Sequence, residues 1–166
     1  MFGIGKNVEM THYTQDEIQN EVDISSYFKF SFIRNPWERL ASEFSWRRRN
    51  EETRYPILND INDFNEFVYN LKHVFPKIMN KEYSQRNCNH FIPQNKFITS
   101  VDFIGRYENF EKDLSYLGAK YGIEKTIPHV NKSKNKPWQE YYNDESIKIV
   151  SDLYAEDIEK FGYSFD

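Results

Sequence analysis

A chain of 166 residues with 39% hydrophobic content, 14 Phe and 12 Tyr is long enough for one domain, 1–166, around an aromatic-rich core. Its net charge of −4 argues against a broadly basic surface for nucleic acid, and no apolar run approaches the roughly 18 residues of a membrane span. A single cysteine, Cys88, excludes an internal disulfide, so nothing calls for an oxidising compartment.

In chain order, Gly3-Ile4-Gly5-Lys6 is not a phosphate loop, because its glycines are too close together and Asn7 follows the lysine in place of Ser or Thr. Thr14 with Glu17 three residues later is a capping box, which predicts a short helix through about Gln19 and leaves His12 in the loop ahead of it. Phe28, Phe30 and Phe32 alternate with Lys29 and Ser31, the pattern of a strand running to Ile33. The period then changes. Asn35 is a good N-cap, Pro36 suits the first helical position, and Glu38 completes a second capping box. Trp37, Leu40, Ala41 and Phe44 form the buried face of that helix, with Ser42 and Ser45 on a polar one. Arg47-Arg48-Arg49 reads as a solvated helix end whose cations suit the dipole.

A polar, turn-like stretch with Pro56 precedes an amphipathic helix over 61–72, carried by Phe64, Phe67, Val68 and Leu71. Residues 74–89 give weak signals. Val101 to Gly105 reads as a short buried strand, and Arg106 and Glu108 as an ion pair at the turn into a helix that presents Phe110, Leu114, Leu117 and Tyr121 and ends at Gly122. A polar loop over 129–137 leads to a last helix, or pair of helices, between Trp138 and Phe161. Strands alternating with helices give an α/β fold, a small parallel sheet flanked by helices. The strand that feeds a helix N-terminus with Arg34 at the junction is an anion site in outline, since helix amides, the dipole and a guanidinium add together.

The run Phe30-Ser31-Phe32-Ile33-Arg34-Asn35-Pro36-Trp37-Glu38-Arg39-Leu40-Ala41-Ser42 resembles the 3′-phosphate-binding motif of sulfotransferases, an Arg after a strand and a Ser eight positions later on the ensuing helix. His90-Phe91-Ile92-Pro93-Gln94, then 101–113, then Pro128 to Lys134, and a closing Phe161-Gly162-Tyr163 resemble, in order, further blocks of the carbohydrate-type sulfotransferase family that includes heparan-sulfate 2-O- and HNK-1-like enzymes and bacterial relatives. The likeness runs from about His12 to Phe165.

That resemblance implies a P-loop-like sulfotransferase fold and transfer of a sulfuryl group from 3′-phosphoadenosine 5′-phosphosulfate, PAPS, to an acceptor hydroxyl on a carbohydrate, with no metal. It assigns Arg34 and Ser42 to the 3′-phosphate and Asn131, Lys132 and Ser133 to a late loop that closes on the nucleotide. His12 stands where related enzymes carry the catalytic base, and His90 and Gln94 where they would orient substrate or pack under the rim. The family's 5′-phosphosulfate loop, with its lysine for the leaving phosphate, has no counterpart before His12, which is the expectation for an N-terminally truncated member. The alternative is a degenerate, non-catalytic relative that binds a 3′-phosphoadenosine nucleotide or a glycan. Animal members are Golgi-anchored and bacterial ones often soluble; the lone cysteine and the Lys-, Asn-, Ile- and Tyr-rich composition favour a cytoplasmic setting.

Overall fold

The computed structural model describes residues 13–49, 58, 61–83, 88–122 and 136–166. His12, Asn131, Lys132 and Ser133, the Gly3 to Lys6 stretch and nearly all of the Pro56 loop lie outside the described residues. Those described form a mixed α/β structure in the order α1 Gln15–Glu21, β1 Phe30–Ile33, α2 Pro36–Arg49, α3 Phe64–Met79, β2 Phe103–Arg106, α4 Phe110–Tyr121, α5 Asp144–Leu153 and α6 Ala155–Phe161.

The two strands pair in parallel, with Phe30 opposite Phe103 and Ile33 opposite Arg106. A parallel pair needs a long crossover, and α2 and α3 lie within it. Gly105 is required at its register position, because a Cβ there would run into the ring of Phe32. The expected strand at 101–105 lies slightly later and is half-exposed, with Ile104 open to solvent on an edge of the sheet.

The main core sits among the helices. Trp37, Leu40, Ala41 and Phe44 of α2 meet Phe67, Val68 and Leu71 of α3 and Val150 of α5, all buried, and each large apolar side chain contributes about 1.5–3 kcal/mol. Helix α3 continues seven residues past Lys72, through Pro76, because Phe75 and Ile78 are buried on the same face. A proline removes one ladder bond and crowds the preceding turn, and in this last turn the two buried side chains outweigh that loss. Asn143 and Ser146 form the capping box of α5, and the Asn65 Oδ1 accepts from the Ser146 hydroxyl at 2.6 Å, which fastens α3 to α5. Gly122 ends α4 in the left-handed region at φ 67°. Among the described residues no helix is long and apolar enough to cross a membrane.

The triplet at the end of α2 departs from the solvated reading. Arg47 is buried, its Nε donating to Glu43 at 2.6 Å and its guanidinium lying over the Phe91 ring. Ser45, expected on the polar face, is also buried, its hydroxyl 3.4 Å from that of Tyr141.

Candidate active site

The end of β1 is where the chain turns from strand to helix, and long-range bonds hold it there. The Arg34 N–H donates to the Gln94 Oε1 at 2.9 Å, and the Gln94 Nε2 donates back to the Arg34 carbonyl at 2.9 Å. Gln94 is set by Asp157, fully buried, whose carboxylate accepts from the backbone N–H of Gln94 at 2.6 Å and of Asn95 at 2.8 Å. The next residue is tied down as well: the Asn35 N–H donates to Glu108 at 2.7 Å, and the Asn35 Nδ2 donates to the Ser164 carbonyl at 2.8 Å. Arg34 therefore starts from a backbone with no freedom to drift.

Its side chain is framed on two sides. One Nη donates to Glu38 at 2.9 Å, and the guanidinium lies 4.3 Å from the centroid of the Tyr107 ring. The Arg34 Nε is buried and has no hydrogen-bond partner among the described residues. A buried charged N–H left unpaired is costly.

The helix end contributes less than the local sequence suggests. The Asn35 Oδ1 accepts from the N–H of Trp37 at 3.0 Å and of Glu38 at 3.5 Å, and the Asn35 carbonyl takes the Arg39 N–H at 2.8 Å. Pro36 has no N–H to offer. The first amides of α2 are thus consumed internally, and an anion here relies on side chains. The second capping box is also half-formed, because Glu38 turns to Arg34 and leaves the Asn35 N–H to Glu108. Arg106 and Glu108 are not an ion pair: Glu108 serves Asn35 and the Tyr163 hydroxyl, while Arg106 lies over the Tyr163 ring and donates to the Phe161 carbonyl.

Arg34, Ser42, His90 and Gln94 line one cavity of about 510 Å³, together with Ser31, Arg39, Glu43, Trp46 and Arg49. That volume lies within the ~300–1,000 Å³ of ordinary ligand sites. Arg39 shapes the wall by donating to the carbonyls of His90 at 2.8 Å and Ile92 at 3.0 Å. His90 faces the cavity as half of a carboxylate–imidazole pair, its Nδ1 2.9 Å from Glu43 and its ring stacked on Trp46. Burial pushes the Glu43 carboxyl up, but the hydrogen bonds and charges of His90 and Arg47 outweigh it and hold the group below its usual range. Glu43 is therefore an anion at neutral pH and fixes the imidazole beside it.

Arg39, Glu43, Trp46 and Arg49 were not expected as cavity residues. The signal was available: they flank Ser42 at −3, +1, +4 and +7, the spacing of one helical face. At the opposite rim, Phe97 and Ile98 precede Thr99 and Ser100, whose backbone N–H groups donate to the Gln15 Oε1 at 3.0 Å and 2.7 Å. The Gln15 Nε2 returns a bond to the Ser100 carbonyl at 2.6 Å, so the start of α1 is clamped to the segment that forms this rim.

The model of the Sulfotransferase family matches residues 4–164. An uncharacterized protein of Archaeoglobus fulgidus is 28% identical over 101 residues, covering 61% of this chain and 72% of its own. No solved structure matches. With the family match spanning almost the whole sequence, the chain belongs to the sulfotransferase family.

Proposed function

We propose that the chain transfers a sulfuryl group from PAPS to a hydroxyl of a carbohydrate, as a carbohydrate-type member of its family. The observation that carries this reading is that Arg34, held at the end of β1, and Ser42, on the helix that follows, line the same cavity. An Arg edge and a hydroxyl suit a 3′-phosphate, the group that distinguishes this donor from common adenine nucleotides.

PAPS supplies a sulfuryl group whose departure leaves 3′-phosphoadenosine 5′-phosphate. In this proposal Arg34 and Ser42 hold the 3′-phosphate, with Asn131, Lys132 and Ser133 assigned to the nucleotide by resemblance alone. The acceptor hydroxyl forms its bond to sulfur as the bond between sulfur and the 5′-phosphate oxygen breaks, and its proton passes to a base, an effect of about 10²–10⁴ in rate. His12 is the proposed base. It stands three residues before Gln15 in the sequence and is assigned this role by resemblance. His90, fixed by Glu43, and Gln94 would shape the acceptor side. The reaction is assigned to the cytoplasm, in keeping with the sole cysteine.

The test is transfer of labelled sulfate from PAPS to a panel of oligosaccharides, beside binding of 3′-phosphoadenosine 5′-phosphate. Transfer that is lost in Arg34→Ala is the expected result. Binding without transfer to any acceptor would favour the non-catalytic reading, and failure to bind the nucleotide would defeat both.

A further inference from the structure

We infer that Asp157, which is fully buried and does not line the cavity, is a positioning residue for the 3′-phosphate: its charge orients the Gln94 carboxamide, and the carboxamide fixes Arg34. This rests on the proposed assignment of Arg34 to that phosphate. Asp157 belongs to α6, 63 residues from Gln94, and Gln94 lies 60 residues from Arg34, so the link joins three distant parts of the chain.

Three donors converge on this carboxylate. Its Oδ2 takes the Gln94 N–H at 2.6 Å and faces the Gln94 Nε2 at 3.5 Å, and its Oδ1 takes the Asn95 N–H at 2.8 Å. The contact with Nε2 decides which end of the carboxamide points where. Both ends are used on Arg34, the Oε1 accepting from its N–H and the Nε2 donating to its carbonyl, each at 2.9 Å. Turned over, the amide would set its oxygen against both the carboxylate and the Arg34 carbonyl, and its NH2 against the Arg34 N–H. An ionised carboxylate only accepts, so it selects the orientation that serves Arg34.

A purely structural anchor would not need a charge at this point. The segment from His90 to Asn95 has other anchors: Arg39 donates to the carbonyls of His90 and Ile92, and the buried Tyr154 hydroxyl donates to that of Phe91. The partners of Asp157 among the described residues are N–H groups and not a cation. Taking a carboxylate out of water on those terms is expensive, and a neutral acceptor would serve the two backbone amides at lower cost. What the charge adds is the pull on the Nε2 end of Gln94, and its effect is felt at Arg34. A guanidinium offers phosphate a planar fork, and a fork that starts from a shifted main chain misses; a displacement of about 1 Å can cost about 10² in such a site.

Calorimetric titration of the full chain with 3′-phosphoadenosine 5′-phosphate and with 5′-AMP tests this, because the ratio of the two affinities reports the grip on the 3′-phosphate alone. Asp157→Asn, which keeps the shape and removes the charge, is expected to weaken binding of the 3′-phosphorylated nucleotide about fivefold to tenfold and to leave 5′-AMP within about twofold. Tyr154→Phe loosens the same segment at Phe91 and should leave the ratio unchanged. In an Arg34→Ala background, Asp157→Asn should change neither affinity by more than about twofold, since the residue it acts through is gone. Gln94→Met removes the carboxamide but keeps both backbone bonds to Asp157; it should reproduce the loss, and it decides the matter where Asp157→Asn does not fold. An Asp157→Asn chain that is less stable but keeps the ratio, that loses both nucleotides equally, or that loses further affinity in the Arg34→Ala background overturns the inference. So does a Gln94→Met chain with the ratio intact. An unaltered chain with no preference for the 3′-phosphate defeats the proposed function as well, whereas a preference that survives Asp157→Asn defeats this inference alone.

Discussion

Glu38 holds one edge of the Arg34 guanidinium at 2.9 Å, and it is both a positioning group and a competitor for the charge that binds phosphate. Glu38→Gln separates these roles, because the amide oxygen still accepts from the Arg34 Nη while the negative charge is gone. With Glu38 on one edge and a phosphate oxygen at hydrogen-bond distance from the other, the two anions stand about 7 Å apart. At an effective dielectric between about 20 and 80, their repulsion is roughly 0.6–2.4 kcal/mol per unit of phosphate charge. Both side chains are about one-fifth exposed (22% and 23%), so screening favours the lower half of that range. Glu38→Gln is therefore expected to tighten 3′-phosphoadenosine 5′-phosphate binding about fivefold, with the gain shrinking as salt is added. Glu38→Ala, which also frees the guanidinium, is expected to weaken binding relative to Glu38→Gln. Calorimetric titration at two ionic strengths measures both. Equal weakening in the two variants would refute the competition argument and leave Glu38 as a structural residue only.

Other consequences follow from the same contacts. Because the Glu43 carboxyl is held low in the folded chain, its contribution to stability is present above the ordinary glutamate pKa of about 4.3 and is lost as pH falls through the depressed value. Glu43→Gln should lower stability at neutral pH and flatten the acid limb of a denaturation series; an unchanged acid limb would show that the ionised pair adds nothing. Gln94→Ala leaves the Arg34 N–H and carbonyl without their partner, at about 1–3 kcal/mol, and should weaken nucleotide binding along with stability. Tyr154→Phe removes the buried hydroxyl that donates to the Phe91 carbonyl at 2.9 Å and should cost about 1–3 kcal/mol by urea titration, with nucleotide affinity unchanged.

Signals that act within a few residues were legible in the sequence. The Thr14–Glu17 capping box, the Asn35-Pro36 helix start, the Trp37–Leu40–Ala41–Phe44 face and the Gly122 stop all occur in the structure, and so does the small parallel sheet. What local patterns cannot carry is the use to which a polar side chain is put by a distant partner. The Gln94 carboxamide pairs with a backbone 60 residues away, and Asp157 caps the Gln94 turn from 63 residues away. Arg47 reads as a surface cation until Glu43 and Phe91 cover it, and the Asn35 amide looks served by Glu38 until Glu108 arrives from the β2 side. At the candidate site, Arg34 and Ser42 were singled out by the resemblance to a sulfotransferase motif, and both line the cavity. Glu43, Trp46 and Arg49 become visible once the Ser42 face of α2 is seen to border a cavity.

The most direct measurement of the central claim is the preference of the chain for 3′-phosphoadenosine 5′-phosphate over 5′-AMP, before and after Arg34→Ala. Charge-assisted bonds from Arg34 are worth about 1.5–3 kcal/mol each, so the unaltered chain should prefer the 3′-phosphorylated nucleotide by at least about tenfold, and Arg34→Ala should bring the two affinities together. Equal affinities in the unaltered chain, or a preference that survives Arg34→Ala, would contradict the assignment of this cavity to a 3′-phosphate.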